Sequence, residues 1–312
     1  MNTAAREGSR DEIAVLMMGY GSPTDLSELE QYLKGIVHSR EVSESFIRDF
    51  ESRYTAIGGR SPMNDILKKQ RAALERALNE QGFMSKVYIG TKHWRPSVSE
   101  ALDSMRSDGF TTVIALPLSP YNSYWVMSSY EQALSEAIKE TAFTGKVSWV
   151  RGWNKNRFFL EFWKQSITEA YGGSRHPVLF SAHSLPARML QYKDRYPEIL
   201  RETSSEIARL VNPTYWEFTY QSAGDASDAW LKPDIKTKLT EFKEKGYGSV
   251  VVACIGFVFD HLEVLYDLDV VARAHAEKTG IKMIRARQPN DDPLFIKALA
   301  SEVEAACNLV PT

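Results

Sequence analysis

An α/β chain with two similar parallel-sheet halves and a cleft between them is what this sequence predicts, on three observations. Short apolar runs stop abruptly in loops that carry glycine, tyrosine or histidine. Helical stretches alternate with those runs, and one stretch of the alternation occurs twice. Strands that are apolar throughout, each followed by a helix, read as central parallel strands covered on both faces.

The first strand is expected at Ile13 to Met18, closed by the turn Gly19-Tyr20-Gly21-Ser22-Pro23. Residues Pro62 to Gln81 form a helix by their stripe of Ile66, Leu67, Ala73, Leu74, Ala77 and Leu78, with Gly82 to stop it. Val87 to Gly90 is a short strand entering Thr91-Lys92-His93-Trp94-Arg95-Pro96. A helix from about Ser97 to Arg106 follows, then the strand Thr112 to Leu118 and the loop Ser119 to Tyr124. The second half is expected to hold the strand Val147 to Arg151, the helix Asn156 to Tyr171, and the strand Pro177 to Ser181 running into Ala182-His183-Ser184-Leu185-Pro186. After these come the strand Glu217 to Gln221, the helix Ile235 to Lys245 and the strand Ser249 to Ile255, which enters Gly256-Phe257-Val258-Phe259-Asp260-His261.

The repeat is visible where His93-Trp94-Arg95-Pro96, a helix, Asp108-Gly109-Phe110 and a strand are set beside Ala229-Trp230-Leu231-Lys232-Pro233, a helix, Lys245-Gly246-Tyr247 and a strand. The boundary between halves falls near Gly145 to Gly152, without a flexible linker. The expected division is 1–148 and 149–291, with a final helix at about 292–310 packing back on the first half.

Bulk properties exclude several classes. The 312 residues are 43% hydrophobic and 25% charged with a formal net charge of -2, which leaves no broad basic surface for nucleic acid. Two cysteines, Cys254 and Cys307, make neither a disulfide framework nor a four-thiolate metal site. The opening Met1 to Glu12 is polar with both charge signs, so neither a secretory signal nor a stable membrane insertion is expected, and the cytoplasm is the expected location.

Polar residues just past the strand ends are where open α/β sheets bind ligands. Of six histidines (His38, His93, His176, His183, His261 and His275), His183 sits best, presented at a strand end. A neutral imidazole there can take a proton or bind a borderline metal; it can equally do no more than hydrogen-bond its own loop. His261-Leu262-Glu263 continues to Asp267, and if a helix starts here Glu263 and Asp267 share a face, either as a proton or cation path or as a solvated surface. Tyr20, Arg53, Tyr54, Ser61, Lys92, His93, Tyr121, Ser123, Tyr124 and Trp125 could sandwich a flat ligand and hold acids on its rim. No Gly-x-Ser-x-Gly elbow, phosphate loop, three-glycine dinucleotide turn or His-Glu-x-x-His motif is present. These residues alone do not name a substrate.

Several separated motifs in one order go further. They are Gly19-Tyr20-Gly21-Ser22-Pro23, Arg53-Tyr54-x-x-Ile57-Gly58-Gly59-x-Ser61-Pro62, the strand around Tyr88 to His93, and Leu116-Pro117-Leu118-x-Pro120 followed by Tyr121 and Tyr124. Phe180 to Pro186, Tyr220-Gln221-Ser222-Ala223-Gly224 and Gly256-Phe257-x-x-x-His261-Leu262-Glu263-x-Leu265-Tyr266-Asp267 complete the set. With them the chain resembles the ferrochelatases, which insert ferrous iron into a porphyrin, and among these the bacterial enzymes that act on coproporphyrin III.

The resemblance implies a chelatase-like pair of Rossmann-type domains. It implies that His183 and Glu263 are the catalytic pair and the metal-contacting residues beside the porphyrin centre, supported by His261 and Asp267. Tyr20 would face the opposite side of the macrocycle, and Arg53, Ser61 and Tyr124 would lie near its carboxylates. The aromatic at Tyr20 is the reason for preferring coproporphyrin III over protoporphyrin IX. Fe²⁺ is then a substrate rather than a tightly bound cofactor. No iron-sulfur cluster of the four-cysteine kind can form on two cysteines. A monomer is implied, with at most transient contacts to other haem-pathway enzymes; a non-catalytic tetrapyrrole carrier is the rival of a different class. One departure concerns an acidic residue that similar enzymes carry eight positions after the glutamate; here Val271 stands there, so an outer metal site is not expected.

Overall fold

A computed structural model describes residues 13–37, 41–224 and 229–308. The opening Met1 to Glu12, His38 and the last residues of the expected final helix lie outside them.

Two four-stranded sheets, every pairing parallel, form the frame. The first contains β1 (Ile13–Gly19), β2 (Ser85–Thr91), β3 (Thr112–Pro117) and β4 (Lys146–Trp149) in the order β2-β1-β3-β4. The second contains β5 (Val178–His183), β6 (Trp216–Gln221), β7 (Ser249–Ala253) and β8 (Lys282–Arg285) in the order β6-β5-β7-β8. The two orders are the same, so β1 and β5 are equivalent central strands. Each lies where the strand order reverses, which is where ligands bind in open sheets. All seven residues of β1 are buried, as its unbroken apolar run requires.

Parallel neighbours need crossover helices. In the first half these are α1 (Leu29–Val37), α2 (Glu44–Ala56) and α3 (Met63–Glu80) between β1 and β2, α4 (Val98–Ser107) between β2 and β3, and α5 (Tyr124–Thr141) between β3 and β4. α6 (Arg157–Tyr171) leads into the second half. There α7 (Tyr196–Val211) joins β5 to β6, and α8 (Ile235–Glu244) joins β6 to β7. Between β7 and β8 run a short α9 (Leu262–Val264), a π-helical segment at Leu265–Ala272 and α10 (Arg273–Thr279). The chain closes on α11 (Pro293–Cys307).

The predicted internal repeat holds in detail. Arg95–Pro96 and Lys232–Pro233 are both cis. The Pro96 carbonyl accepts from Thr91 N at 2.8 Å, and the Pro233 carbonyl accepts from Tyr220 N at 2.9 Å, so each proline meets the end of the strand before it. Most strand ends differ from expectation by one or two residues, and the strand expected at Val147 to Arg151 to open the second half is β4, which pairs with β3 and belongs to the first sheet. β5 continues to His183, because His183 pairs in register with Gln221 of β6. β7 stops at Ala253 and β4 at Trp149, where their pairing with β5 and β3 gives out.

The largest core cluster runs without a break from Met17 and Leu67 in the first half to Phe180 and Val251 in the second, through Phe159 and Trp163 of α6 and Phe295 and Leu299 of α11. α11 packs on α3 and α6 together. Each of these buried aromatic or leucine side chains contributes about 1.5–3 kcal/mol by leaving water. Among the described residues no helix is long and apolar enough to cross a membrane.

Candidate active site

The C-terminal ends of β1, β5 and β7 deliver most of the chemistry. β1 releases the chain at Tyr20 and Gly21. Gly21 has φ +95°, and a Cβ on it would lie 2.7 Å from Trp94 Cβ, so only glycine lets the loop fold against the neighbouring turn. Pairing continues past the strand. Lys92 N donates to the Gly19 carbonyl at 3.1 Å and His93 N to the Tyr20 carbonyl at 3.0 Å, which sets both side chains beside the Tyr20 ring. The Tyr20 and His93 rings are 4.4 Å apart. The Lys92 ammonium is 5.1 Å from the Tyr20 ring and 4.3 Å from that of Tyr130, and it donates to Ser129 Oγ at 2.8 Å. Burial brings the Lys92 amine down to about 8.

In the second half, the last residue of β5 is His183. Its Nδ1 is hydrogen-bonded to the Ser184 carbonyl, which leaves Nε2 to face the cleft. Nε2 lies 3.5 Å from Glu263 Oε2, and His261 Nε2 lies 3.7 Å from the same oxygen. The loop after β7 reaches this point because Gly256 passes flush against β5. A Cβ on Gly256 would be 2.5 Å from Ala182 Cβ. Phe257 fills the space between the histidines, edge-on to His183 at 6.0 Å and to His261 at 4.3 Å.

This packing splits the two imidazoles. Burial alone would disfavour charge on His183, but the Glu263 carboxylate outweighs it and holds His183 above the usual imidazole range. His261 is more deeply buried, and desolvation pulls it down to about 4 despite Glu263. Desolvation works against the Glu263 charge too, yet His183 first, then His261 and Arg53, bring its carboxyl to about 2. Asp267 behaves in the opposite way: burial and the neighbouring Glu263 charge raise it, against a hydrogen bond from Ser222 Oγ. The charges of Glu263 and Asp267 act on each other, but the backbone beneath them is an α turn passing into a π-helical segment rather than the one α-helix expected. π segments of this kind recur at functional sites. Val271 lies within the same segment, half-buried.

The two halves meet electrostatically here. Burial first, then the Glu263 charge, raises the Tyr20 phenol. Arg53, on α2, pairs with Asp49 at 2.7 Å, lies 5.6 Å from the Tyr266 ring and contributes to the low pKa of Glu263. Its Nε is buried without a hydrogen-bond partner among the described residues. The structure thus brings together Tyr20, Arg53, His183, His261, Glu263 and Asp267. Ser61 and Tyr124 stand apart. Ser61 is buried at the start of α3 and accepts from Met63 N at 3.3 Å, beside a cavity of about 130 Å³ also lined by Arg60, Lys68 and Arg95. Tyr124 is 71% exposed on the first turn of α5. Among the described residues no group of three or more His, Cys, Asp or Glu side chains is arranged to hold a metal ion.

Sequence reasoning missed Ser222 as the partner of Asp267, Phe257 as the spacer between the histidines, and Tyr196, whose hydroxyl donates to the His183 carbonyl at 3.0 Å. Ser222 stands directly after β6, so the same strand-end signal that found His183 was available for it.

Two sheets of one topology carry an imidazole–carboxylate pair at one strand end and a tyrosine at the equivalent end of the other. Solved structures of the same architecture include the sirohydrochlorin chelatase SirB from Bacillus subtilis subspecies spizizenii in complex with cobalt, with a TM-score of 0.55 at 11% identity over 96% of both chains. SirB from Bacillus subtilis with Fe³⁺ gives 0.59 at 10% identity over 95% of this chain and 96% of the other. At this identity the likeness shows the fold. The family model for ferrochelatase matches residues 12–307. The coproporphyrin III ferrochelatase of Geobacillus thermodenitrificans is 34% identical over 305 residues, covering 95% of this chain and 96% of the relative. The ferrochelatase of Thermus thermophilus is 33% identical, covering 94% and 98%. The chain belongs to the ferrochelatase family.

Proposed function

We propose that the protein inserts Fe²⁺ into coproporphyrin III, releasing two pyrrole protons and giving Fe-coproporphyrin. The observation that carries this reading is the His183–Glu263 pair, 3.5 Å apart at the end of β5. The name of the Geobacillus relative, similar over nearly its whole length, supports the choice of porphyrin.

The chemistry follows from the two nitrogens of His183. His183 acts in its neutral form: with Nδ1–H given to the Ser184 carbonyl, that form presents a lone pair on Nε2, and the Glu263 carboxylate, by raising His183, makes it a stronger base. That lone pair takes a proton from a pyrrole nitrogen, and the imidazolium so formed is held by Glu263. Glu263 is anionic at neutral pH and offers an oxygen to the incoming Fe²⁺ as well. His261 stays neutral and keeps Glu263 turned toward His183. Tyr20 supports the other face of the ring, and binding energy from the rim carboxylates holds the macrocycle bent, which exposes the nitrogen lone pairs. Arg53, Ser61 and Tyr124 are assigned to those carboxylates.

In the same reading the chain divides into a Rossmann-like half at 1–148 and another at 149–291, and iron is substrate rather than resident cofactor. The protein works as a cytoplasmic monomer whose contacts with other haem-pathway enzymes are transient. The test is anaerobic insertion of Fe²⁺ into coproporphyrin III and into protoporphyrin IX. Faster insertion into coproporphyrin III is expected, and the reverse order would reassign the substrate. Tight porphyrin absorbance shifts with no insertion into either would leave a carrier. His183→Ala is expected to lose most insertion while keeping porphyrin binding, and insertion near the parent rate would remove His183 from its role.

A further inference from the structure

Asp194 lies outside the site described above and takes no part in its chemistry, yet it is 6% exposed and fully engaged. Its Oδ2 accepts from Trp125 N at 2.7 Å and from Ser123 Oγ at 3.1 Å. Its Oδ1 accepts from Tyr196 N at 2.8 Å. Ser123 is the N-cap of α5, and Tyr196 opens α7. One buried carboxylate therefore satisfies free N–H groups at the start of two helices, one from each half of the molecule. Among the described residues no lysine or arginine pairs with it, so these bonds are what hold the charge in place.

One helix start leads to His183, and the other carries Tyr124, assigned above to a macrocycle carboxylate. Tyr124, between the two residues at the start of α5 that Asp194 grips, is the exposed first residue of that helix. Tyr196 turns its hydroxyl to the His183 carbonyl at 3.0 Å, and its ring packs edge-on to Tyr121 at 6.4 Å. Tyr121 in turn donates to the Ile255 carbonyl at 2.7 Å, at the root of the loop that carries Glu263. A displacement at Asp194 would pass along two bonds to the backbone of His183 and along one to the start of α5 that carries Tyr124.

We infer that Asp194 is a positioning residue: through Tyr196 it fixes the His183 backbone, and through the start of α5 it fixes Tyr124, the residue assigned to a macrocycle carboxylate, so that imidazole and macrocycle keep their spacing. This rests on the reading of His183 as the proton acceptor. Asp194→Asn keeps size but puts an NH₂ group against one of the N–H donors. Misplacement of His183 by a fraction of an ångström is then enough to lower kcat by about tenfold.

The experiment measures kcat and KM for coproporphyrin III in the parent, Asp194→Asn, Tyr196→Phe and the double variant, each normalised to the folded, porphyrin-binding fraction. Tyr196→Phe removes one oxygen and retains the ring packing, which keeps the test open if Asp194→Asn folds poorly. Tyr196→Phe is expected to lower kcat at unchanged KM, and Asp194→Asn to lower kcat and raise KM. The double variant should show a kcat close to the lower single value, because both act along one chain of bonds. A parent kcat in folded Tyr196→Phe, or losses in kcat that multiply independently in the double variant, overturns the inference. His183→Ala run alongside separates the two readings. If it is inactive while Tyr196→Phe is not, only the positioning role fails; if it is active, the reading beneath it has failed.

Discussion

Replacing Glu263 by glutamine changes one charge and almost no volume, which makes it the sharpest probe of the proton-acceptor reading. At 3.5 Å from His183 Nε2, a full negative charge interacts with an imidazolium by ~1 kcal/mol in bulk water and ~5 kcal/mol at an effective dielectric of about 20. The Glu263 side chain is 42% exposed and that of His183 26%, so solvent screening places the value toward the low end, about 2 kcal/mol. If the imidazolium forms in the transition state, losing this interaction lowers kcat about 30-fold. The free carboxylate also holds His183 above the usual imidazole range, so the variant's His183 is expected to titrate lower than the parent's. Porphyrin affinity should change little. The assay is single-turnover Fe²⁺ insertion under anaerobic conditions, followed by porphyrin absorbance. A folded Glu263→Gln protein with parent kcat would refute the argument, because no proton could then be resting on a His183 held by that carboxylate.

Other expectations follow from the same geometry. In the metal-free protein, imidazole ¹⁵N NMR should find His183 still protonated above pH 6.5 and His261 neutral down to about 4; reversed assignments would mean that burial and Glu263 have been weighed wrongly. Gly256→Ala places a methyl group 2.5 Å from Ala182 Cβ, so it should push the β7 loop off β5 and destabilise the fold by roughly 1–3 kcal/mol. Denaturant unfolding would measure this, and an unchanged midpoint would show that the loop has slack. Val271→Ala should leave insertion within about twofold, since only small apolar area is lost at a half-buried position; a large rate loss in a folded variant would reveal a role for this turn of the π-helical segment.

The sequence is most readable where backbone demands are strict. The all-apolar β1 and β7, the stripe of α3 and the paired X-Pro turns before α4 and α8 each have one simple explanation, and the structure contains them all. His183 and Glu263 stand out in the sequence because they follow strands so closely. The π-helical segment is not legible, since residues 265–272 have the same apolar spacing in an α-helix. The link from Asp194 to α5 and α7 is hidden for another reason: its three donors come from positions 123, 125 and 196, and nothing in linear order brings those together. The start of α5 reads as a loop because Pro120 and Asn122 dominate the local signal, although Ser123 caps the helix that begins there.

The position of α11 has a consequence for how the molecule comes into being. Phe295 and Leu299 complete a core begun by α3 more than two hundred positions earlier. During synthesis the apolar flank of α3 must therefore wait, wet or chaperoned, until α11 has left the ribosome. Shortening the chain before residue 293 should not yield an early half able to stand alone, but one with an unsealed side.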